Sequence, residues 1–271
     1  MPAEWITSYE NNGYFFPIQV FSEGEGATYR LAYFDYIAQK NEELKALAPR
    51  EHYRVLSETH TVLPWVYAIA SHTAVLDVVE QLIGPNILIW SSRWFSKMPS
   101  DKTYVSWHQD ATYWGLSPLK VATAWIALSE SIPENGCMRV IPESHKMALL
   151  PQIETYAPDN ALTRGQEIAV EVDEKRAIDI VLRPGQMSLH HVLIVHGSKA
   201  NTSDKPRIGI AIRYIAPEVK QDGERPVAML VRGKDDYGNF DLIETPVCDR
   251  ADGNESIQAD AVKRMTKNIL R

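Results

Sequence analysis

Four consecutive residues, Trp107-His108-Gln109-Asp110, carry the strongest chemical signal in the chain. They close a stretch rich in β-forming residues that runs from Ile87 to Trp107. Successive side chains of a strand point to opposite faces, so His108 and Asp110 project to one side and Gln109 to the other. An imidazole and a carboxylate placed in this way can take two adjacent positions around a metal. A second histidine from elsewhere would complete a 2-His-1-carboxylate facial triad, which suits non-heme Fe(II) and leaves positions open. On its own a His-x-Asp pair is more often an ordinary polar contact, so the residues downstream decide.

Three histidines compete for the third position: His190, His191 and His196, in the segment SLHHVLIVHGS. His196 stands where the strand gives way to Gly197-Ser198, at a rim where a side chain can face a cavity. His190 shares its face if the strand is unbroken and remains a rival. His52, His60 and His72 read as surface or cap residues, and His145 as a local hydrogen bonder. Arg207 adds weight to the metal reading. It opens the last strand of the set, PRIGIAIR, in which Arg207, Gly209, Ala211 and Arg213 line one face. Two small residues between two arginines leave a floor with space above it, and a guanidinium grips a carboxylate through two parallel hydrogen bonds. A solvated strand end with surface arginines would not need the small residues.

The elements that must position these residues follow from periodicity and punctuation. A short helix is expected over residues 4–12. Helical spacing of Leu31, Phe34 and Ile37 predicts a helix within 22–47, and a further helical block covers 61–82, stopped by Gly84-Pro85. From residue 86 short strands alternate with Pro/Gly turns: 87–97, 104–110, 121–129, 137–142, 168–172, 177–182, 187–196 and 207–215. Residues 148–175 and 218–245 read as loops, the sequence does not tell whether they close over a pocket, and a terminal helix is expected over 256–270. The fold class is therefore mainly β with α (α+β). A double-stranded β-helix (jelly-roll, cupin-like) core spans 86–216, with helical support from 1–85 packed on one sheet and an extension over 217–271, all in a single domain.

Composition narrows the function classes. The net charge of −7 and the lack of a basic block argue against a nucleic-acid partner. No apolar run reaches membrane-spanning length. Two cysteines, Cys137 and Cys248, with no CxxC pairing leave no disulfide framework and fit a reducing cytoplasm. Asn201-Thr202-Ser203 is read as a polar turn. Seven tryptophans and twelve tyrosines suggest a cleft lined with aromatic rings. Nothing in the sequence marks an oligomeric state.

The motifs WHQD, VATAWIALS, ENGCMRVIPESHK, HGS and PRIGIAIRY together resemble the phytanoyl-CoA dioxygenase family of Fe(II)/2-oxoglutarate oxygenases, over roughly residues 10–215. The resemblance implies that His108, Asp110 and His196 bind iron. It implies that Arg207 holds the distal carboxylate of 2-oxoglutarate with help from Ser198, and that Trp125 stands beside the co-substrate. Arg93 and Lys97 match a pocket-lining strand. An oxygenase of this kind consumes O2 and releases succinate and CO2. Members that halogenate carry a small residue in place of the carboxylate ligand, so the intact Asp110 implies hydroxylation of a small or medium-sized bacterial-type metabolite. Tyr113 and Trp114, just past the ligands, and Arg213 are candidate substrate contacts, and Arg213 would favour an anionic substrate unless it pairs with an acid of the C-terminal tail. Two other classes compete: a Zn(II)-dependent hydrolase or isomerase on the same barrel, and a non-catalytic jelly-roll that binds a metal or small ligand. The hydrolase needs no distant anion clamp of the kind Arg207 would provide, and an intact triad with an intact arginine weighs against the non-catalytic reading.

Overall fold

The computed structural model of the chain describes residues 4–246 and 254–269. Its first third comprises α1 (Glu4–Asn12), β1 (Tyr14–Gln19), α2 (Glu23–Gln39), α3 (Asn41–Lys45), α4 (Tyr53–Leu56), α5 (Pro64–Ala70) and α6 (Thr73–Ile83). The start of α2 is a capping box. The Glu25 N–H donates to the Ser22 hydroxyl (3.3 Å) and the Ser22 N–H donates to the Glu25 carboxylate (2.8 Å). Its buried face is Gly26, Tyr33 and Tyr36, whereas Leu31 and Phe34, which the apolar spacing pointed to, are exposed. The tyrosines win because an aromatic ring fills space while its hydroxyl can still find a partner. The Tyr33 ring lies 4.7 Å from that of Trp94, and the Tyr36 hydroxyl donates to the Val55 carbonyl at 2.8 Å.

The single helix expected over 61–82 is split at Ser71-His72. His72 caps α6 by accepting from the Ala74 N–H (3.2 Å), and α6 buries Val75, Leu76, Val79 and Ile83 before Gly84 (φ 92°) ends it. Among the described residues no single helix is long and apolar enough to cross a membrane. The α5/α6 pair would pass on length and composition together, but it is bent by 47° and its apolar residues Val66, Ile69, Val75 and Val79 are buried.

The rest of the chain is β-rich: β2 (Ile87–Trp94), β3 (Val105–His108), α7 (Ala111–Trp114), β4 (Leu116–Ser117), β5 (Val121–Ala127), β6 (Met138–Val140), β7 (Gln152–Glu154), β8 (Gln166–Ile168), β9 (Ile178–Asp179), β10 (Gln186–His190), β11 (His196–Ser198), β12 (Gly209–Ile215), β13 (Lys220–Gln221), β14 (Val227–Arg232) and β15 (Asp241–Leu242), followed by α8 (Asn254–Ile269). A seven-stranded sheet has the order β1-β10-β5-β12-β2-β14-β15, and a four-stranded sheet the order β3-β11-β6-β9. The α+β jelly-roll expectation holds, with three revisions. The strand expected over 187–196 is two strands in different sheets, because a turn at 191–195 interrupts it: the His191 ring accepts from the Leu193 N–H (3.1 Å) and the Ile194 N–H returns to the His191 carbonyl (2.9 Å). The loop at 148–175 contains the β7/β8 ladder, and 218–245 contributes β14, paired antiparallel with β2. Cys248 and residue 270 lie outside the described residues.

Contacts divide the chain into two compact units, Met1–Val55 with Trp94–Asp110 and Trp125–Ile210, and Leu56–Arg93 with Ala111–Ala124 and Ala211–Arg271. The first holds the four-stranded sheet and the β1/β10 pair, in register Phe15↔Leu189 and Ile18↔Met187. Its core includes Phe21, Ile126, Leu128, Met187, Leu189 and Ile208. The second buries Val66, Ile69, Val79, Ile87, Ile89 and Met229, and the Tyr214 hydroxyl donates to the Ala70 carbonyl at 2.8 Å. Ser22→Ala should remove the α2 cap and lower the unfolding free energy by about 1 kcal/mol, read as a lower urea midpoint at unchanged m-value.

Candidate metal centre

In the four-stranded sheet β11 runs between β3 and β6, antiparallel to both, and the register sets His196 directly opposite His108. Residues opposite each other on neighbouring strands share a face, so the two imidazoles meet, with ring centroids 4.1 Å apart. Gly197 permits the approach: a Cβ there would fall 2.9 Å from the Val105 carbonyl oxygen. Each ring is held by Nδ1 against a backbone carbonyl, His108 on Ser106 (2.9 Å) and His196 on Ile194 (3.1 Å). A carbonyl only accepts, so Nδ1 is the donor and Nε2 is the nitrogen turned towards the site, as a metal-ligating imidazole requires. Burial, reinforced by the neighbouring His108 and His190, holds the His196 pKa well below the usual imidazole value against the opposing pull of Asp110. It stays neutral.

Asp110 reaches the same place by a different route from the one its spacing suggested. β3 ends at His108, and Asp110 lies in the turn that leads into α7. Its Oδ1 is 3.5 Å from His108 Nε2, and the ligand atoms of His108, Asp110 and His196 all lie within 4.8 Å of one another in a buried cluster. The turn is pinned by Gln109, fully buried between them. Its amide donates to the Leu193 carbonyl (2.7 Å) and accepts from the Leu150 N–H (2.8 Å). Gln109 had been read only as the residue that points away; that orientation into protein was the available signal. The rival His190 is close as well, with Nε2 3.9 Å from Asp110 Oδ2 and its ring 4.9 Å from that of His196.

A second group in the same unit is cationic. Arg207 is buried, its guanidinium 5.4 Å from the centre of the Trp125 ring, and it donates to the carbonyls of Gly136 and Phe95. Its Nε is buried with no hydrogen-bond partner among the described residues. Lys97, past the end of β2, forms a backbone bridge with Arg207 and donates from Nζ to the Ser198 hydroxyl (2.7 Å) and the Lys199 carbonyl. Burial lowers the Arg207 pKa to about 10. The Asn201 amide donates to the carbonyls of Lys97, Met98 and Lys205, so the polar turn read in the sequence also fastens this bridge. The floor above Gly209 is not open space: the Trp125 indole fills it, and a Cβ at Gly209 would clash with it at 2.2 Å from a ring carbon.

Arg93, Tyr113, Trp114 and Arg213 fall in the second unit. Arg93 bridges Ser57 through the backbone, and Tyr113 is half-buried on α7. Trp114 is buried, 4.9 Å from the Trp90 ring, and its carbonyl accepts from Gln221 (3.0 Å). The Arg213 guanidinium lies 5.1 Å from the centre of the Trp114 ring. Among the described residues, Glu58 in the helical third is an acid that feels its charge. Burial raises the Glu58 pKa to about 8, opposed by the Ser91 hydroxyl and by Arg213.

The family model for phytanoyl-CoA dioxygenase (PhyH) matches residues 9–209. The chain belongs to the phytanoyl-CoA dioxygenase family. The matched residues contain all three members of the buried cluster together with Lys97, Trp125, Ser198 and Arg207. A solved structure described as a non-heme monooxygenase, ThoJ in its apo form, is 32% identical, with a TM-score of 0.85 over 100% of this chain and 98% of that one. A Caenorhabditis elegans protein named "Probable phytanoyl-CoA dioxygenase" is 28% identical over 56% of this chain and 51% of its own length. The ectoine dioxygenase of Sphingopyxis alaskensis is 26% identical over 79% of this chain and 76% of its own. The chain spans about half the length of the first curated relatives it matches.

The donor set in this family member fits ferrous iron: two neutral imidazole nitrogens and one carboxylate oxygen, converging from adjoining backbone. Replacing Gln109 with Leu should strip partners from two part-buried backbone groups. The expected result is a loss of roughly 1–3 kcal/mol in stability and a 10–100-fold weaker Co(II) affinity, read by thermal unfolding and by calorimetric titration of the metal.

Proposed function

We propose that the protein is an Fe(II)- and 2-oxoglutarate-dependent oxygenase that hydroxylates a small or medium-sized metabolite carrying an anionic group, with release of succinate and CO2. The observation that carries this reading is the presence, in one unit, of a buried His108–Asp110–His196 cluster and a buried arginine with an unsatisfied donor. Iron, when bound, would activate dioxygen, which is the oxidant, and 2-oxoglutarate would supply two of the four electrons that dioxygen takes up, the substrate supplying the other two.

The chain's own residues hold and orient these groups. His108 and His196 would ligate iron through Nε2, each ring fixed by its Nδ1–carbonyl hydrogen bond, and Asp110 would provide the single anionic ligand. Arg207 would hold the distal carboxylate of 2-oxoglutarate through donors that its two carbonyl partners leave unused, with Trp125 stacked on the guanidinium and Ser198 and Lys97 alongside. Burial of the whole group excludes water, which strengthens each charge-assisted hydrogen bond. Asp110 occupies the position that a halide would need, which favours hydroxylation.

The anionic substrate class rests on Arg213, supported by Trp114 and facing a carboxyl that burial keeps protonated to about pH 8. A positive charge left uncompensated among the described residues suits a carboxylate or phosphonate. Tyr113 completes the set of substrate contacts in this reading, and Arg93 takes a supporting place. A reducing compartment such as the cytoplasm would keep iron ferrous and Cys137 a thiol.

Anaerobic addition of Fe(II) and 2-oxoglutarate should produce a weak visible charge-transfer band, which a zinc hydrolase or a non-catalytic barrel would lack. His108→Ala, Asp110→Ala and His196→Ala should each abolish substrate-dependent succinate release, while Arg207→Ala should raise the KM for 2-oxoglutarate by about two orders of magnitude. Full activity in His196→Ala together with loss in His190→Ala would transfer the third ligand to His190.

A further inference from the structure

Lys97 and Arg207 are only 1% and 2% exposed, and they are neighbours by construction. The Lys97 N–H donates to the Arg207 carbonyl at 2.8 Å and the Arg207 N–H donates back at 2.9 Å, with Asn201 fastening the turn beside them. Among the described residues the hydrogen-bond partners of both charged ends are neutral. Lys97 Nζ meets the Ser198 hydroxyl and the Lys199 carbonyl, and Arg207 meets the Gly136 and Phe95 carbonyls. Two adjacent cations in an interior without a paired anion are costly, and a buried guanidinium does not surrender its proton. A lysine amine can.

Among the described residues, three charged or titratable groups face Lys97. Arg207 disfavours its ammonium form, whereas Asp101 and Cys137 favour it. Cys137 brings no charge, because burial pushes its thiol up to about 12. Asp101, half-buried and accepting from the Thr103 N–H, does not offset the loss of hydration: burial first and Arg207 second lower the Lys97 pKa to about 6. The hydrogen bonding agrees with the electrostatics. A neutral amine has two N–H groups, and Lys97 has two acceptors within reach, so the neutral form is already satisfied. Protonation adds a third N–H for which the described residues show no acceptor.

Resting on the oxygenase reading above, we propose that Lys97 is neutral in the co-substrate-free protein and takes one proton from solvent when a dianionic 2-oxo acid binds, so that the ligand itself installs the second charge of the clamp. The proton adds to the amine lone pair, and the new N–H is the donor offered to the incoming carboxylate. Affinity for the co-substrate then depends on pH with a definite sign. Above the pKa of the free amine, each unit rise in pH makes proton uptake harder and weakens binding by up to about tenfold, until the pKa of the complex is reached.

Isothermal titration of 2-oxoglutarate into anaerobic, Fe(II)-preloaded protein, repeated in buffers of different ionisation enthalpy, reads the proton count directly. At pH 7.5 the wild type should take up about one proton per 2-oxoglutarate, and its Kd should rise close to tenfold between pH 7 and pH 8. Lys97→Arg carries a charge it cannot shed and should bind without uptake; Lys97→Met should bind more weakly, also without uptake. Binding by the wild type with no proton uptake overturns the proposal even if neither variant folds, and equal uptake in Lys97→Met overturns it by placing the proton elsewhere. If 2-oxoglutarate does not bind at all, the oxygenase reading fails and the linkage falls with it.

Discussion

The candidate centre depends on one backbone register, that of β11 against β3. Pairing His196 with His108 makes the two imidazoles cross-strand neighbours, and a slip of one residue would send one ring to the opposite face of the sheet. The register is secured from both sides, since β11 also pairs with β6, and the glycine after His196 lets the strands close without a Cβ in the way. The carbonyls of Ser106 and Ile194 then set each tautomer, so strand geometry settles both where the rings are and which nitrogen is available. The third ligand needs a separate device because it stands beyond the end of β3. Gln109 supplies it by fastening the turn to Leu150 and Leu193.

Much of this was legible in the sequence, for reasons that differ by residue. His108, Asp110, His196 and Arg207 could be picked out because few residue types ligate iron or clamp a carboxylate, and their spacing around β-formers limited the choices. The break between His190 and His196 was not legible. HHVLIVH reads as uninterrupted β-former, and the turn within it is made by the His191 ring accepting a backbone N–H, a local contact that composition does not announce. The exposure of Leu31 and Phe34 was hidden for a related reason. Apolar spacing cannot foresee that two tyrosines, Tyr33 against the Trp94 ring and Tyr36 with its hydroxyl on a backbone carbonyl, take the inward face. The segment 218–245 looked irregular because its charges mask β14, which depends for its existence on a partner, β2, far away in the sequence.

Each unit holds a titratable group that burial keeps neutral. Glu58 retains its proton in the interior of the second unit, with the Ser91 hydroxyl donating to it at 2.9 Å. His196 stays neutral in the first. A buried ion pair would cost its own desolvation and would also occupy the donors, whereas a neutral group leaves the site ready for a charged visitor. Stability and readiness to bind are therefore served by the same desolvation.

The contact between Gly209 and Trp125 has a consequence for how such a protein can diverge. The indole occupies the volume of the missing side chain, so position 209 cannot drift to alanine while a tryptophan stands at 125, and a smaller residue at 125 would open a void beside the buried guanidinium of Arg207. Variation at these two places has to be concerted. Among descendants of this sequence the pair should persist together or be replaced together, as one heritable unit of shape.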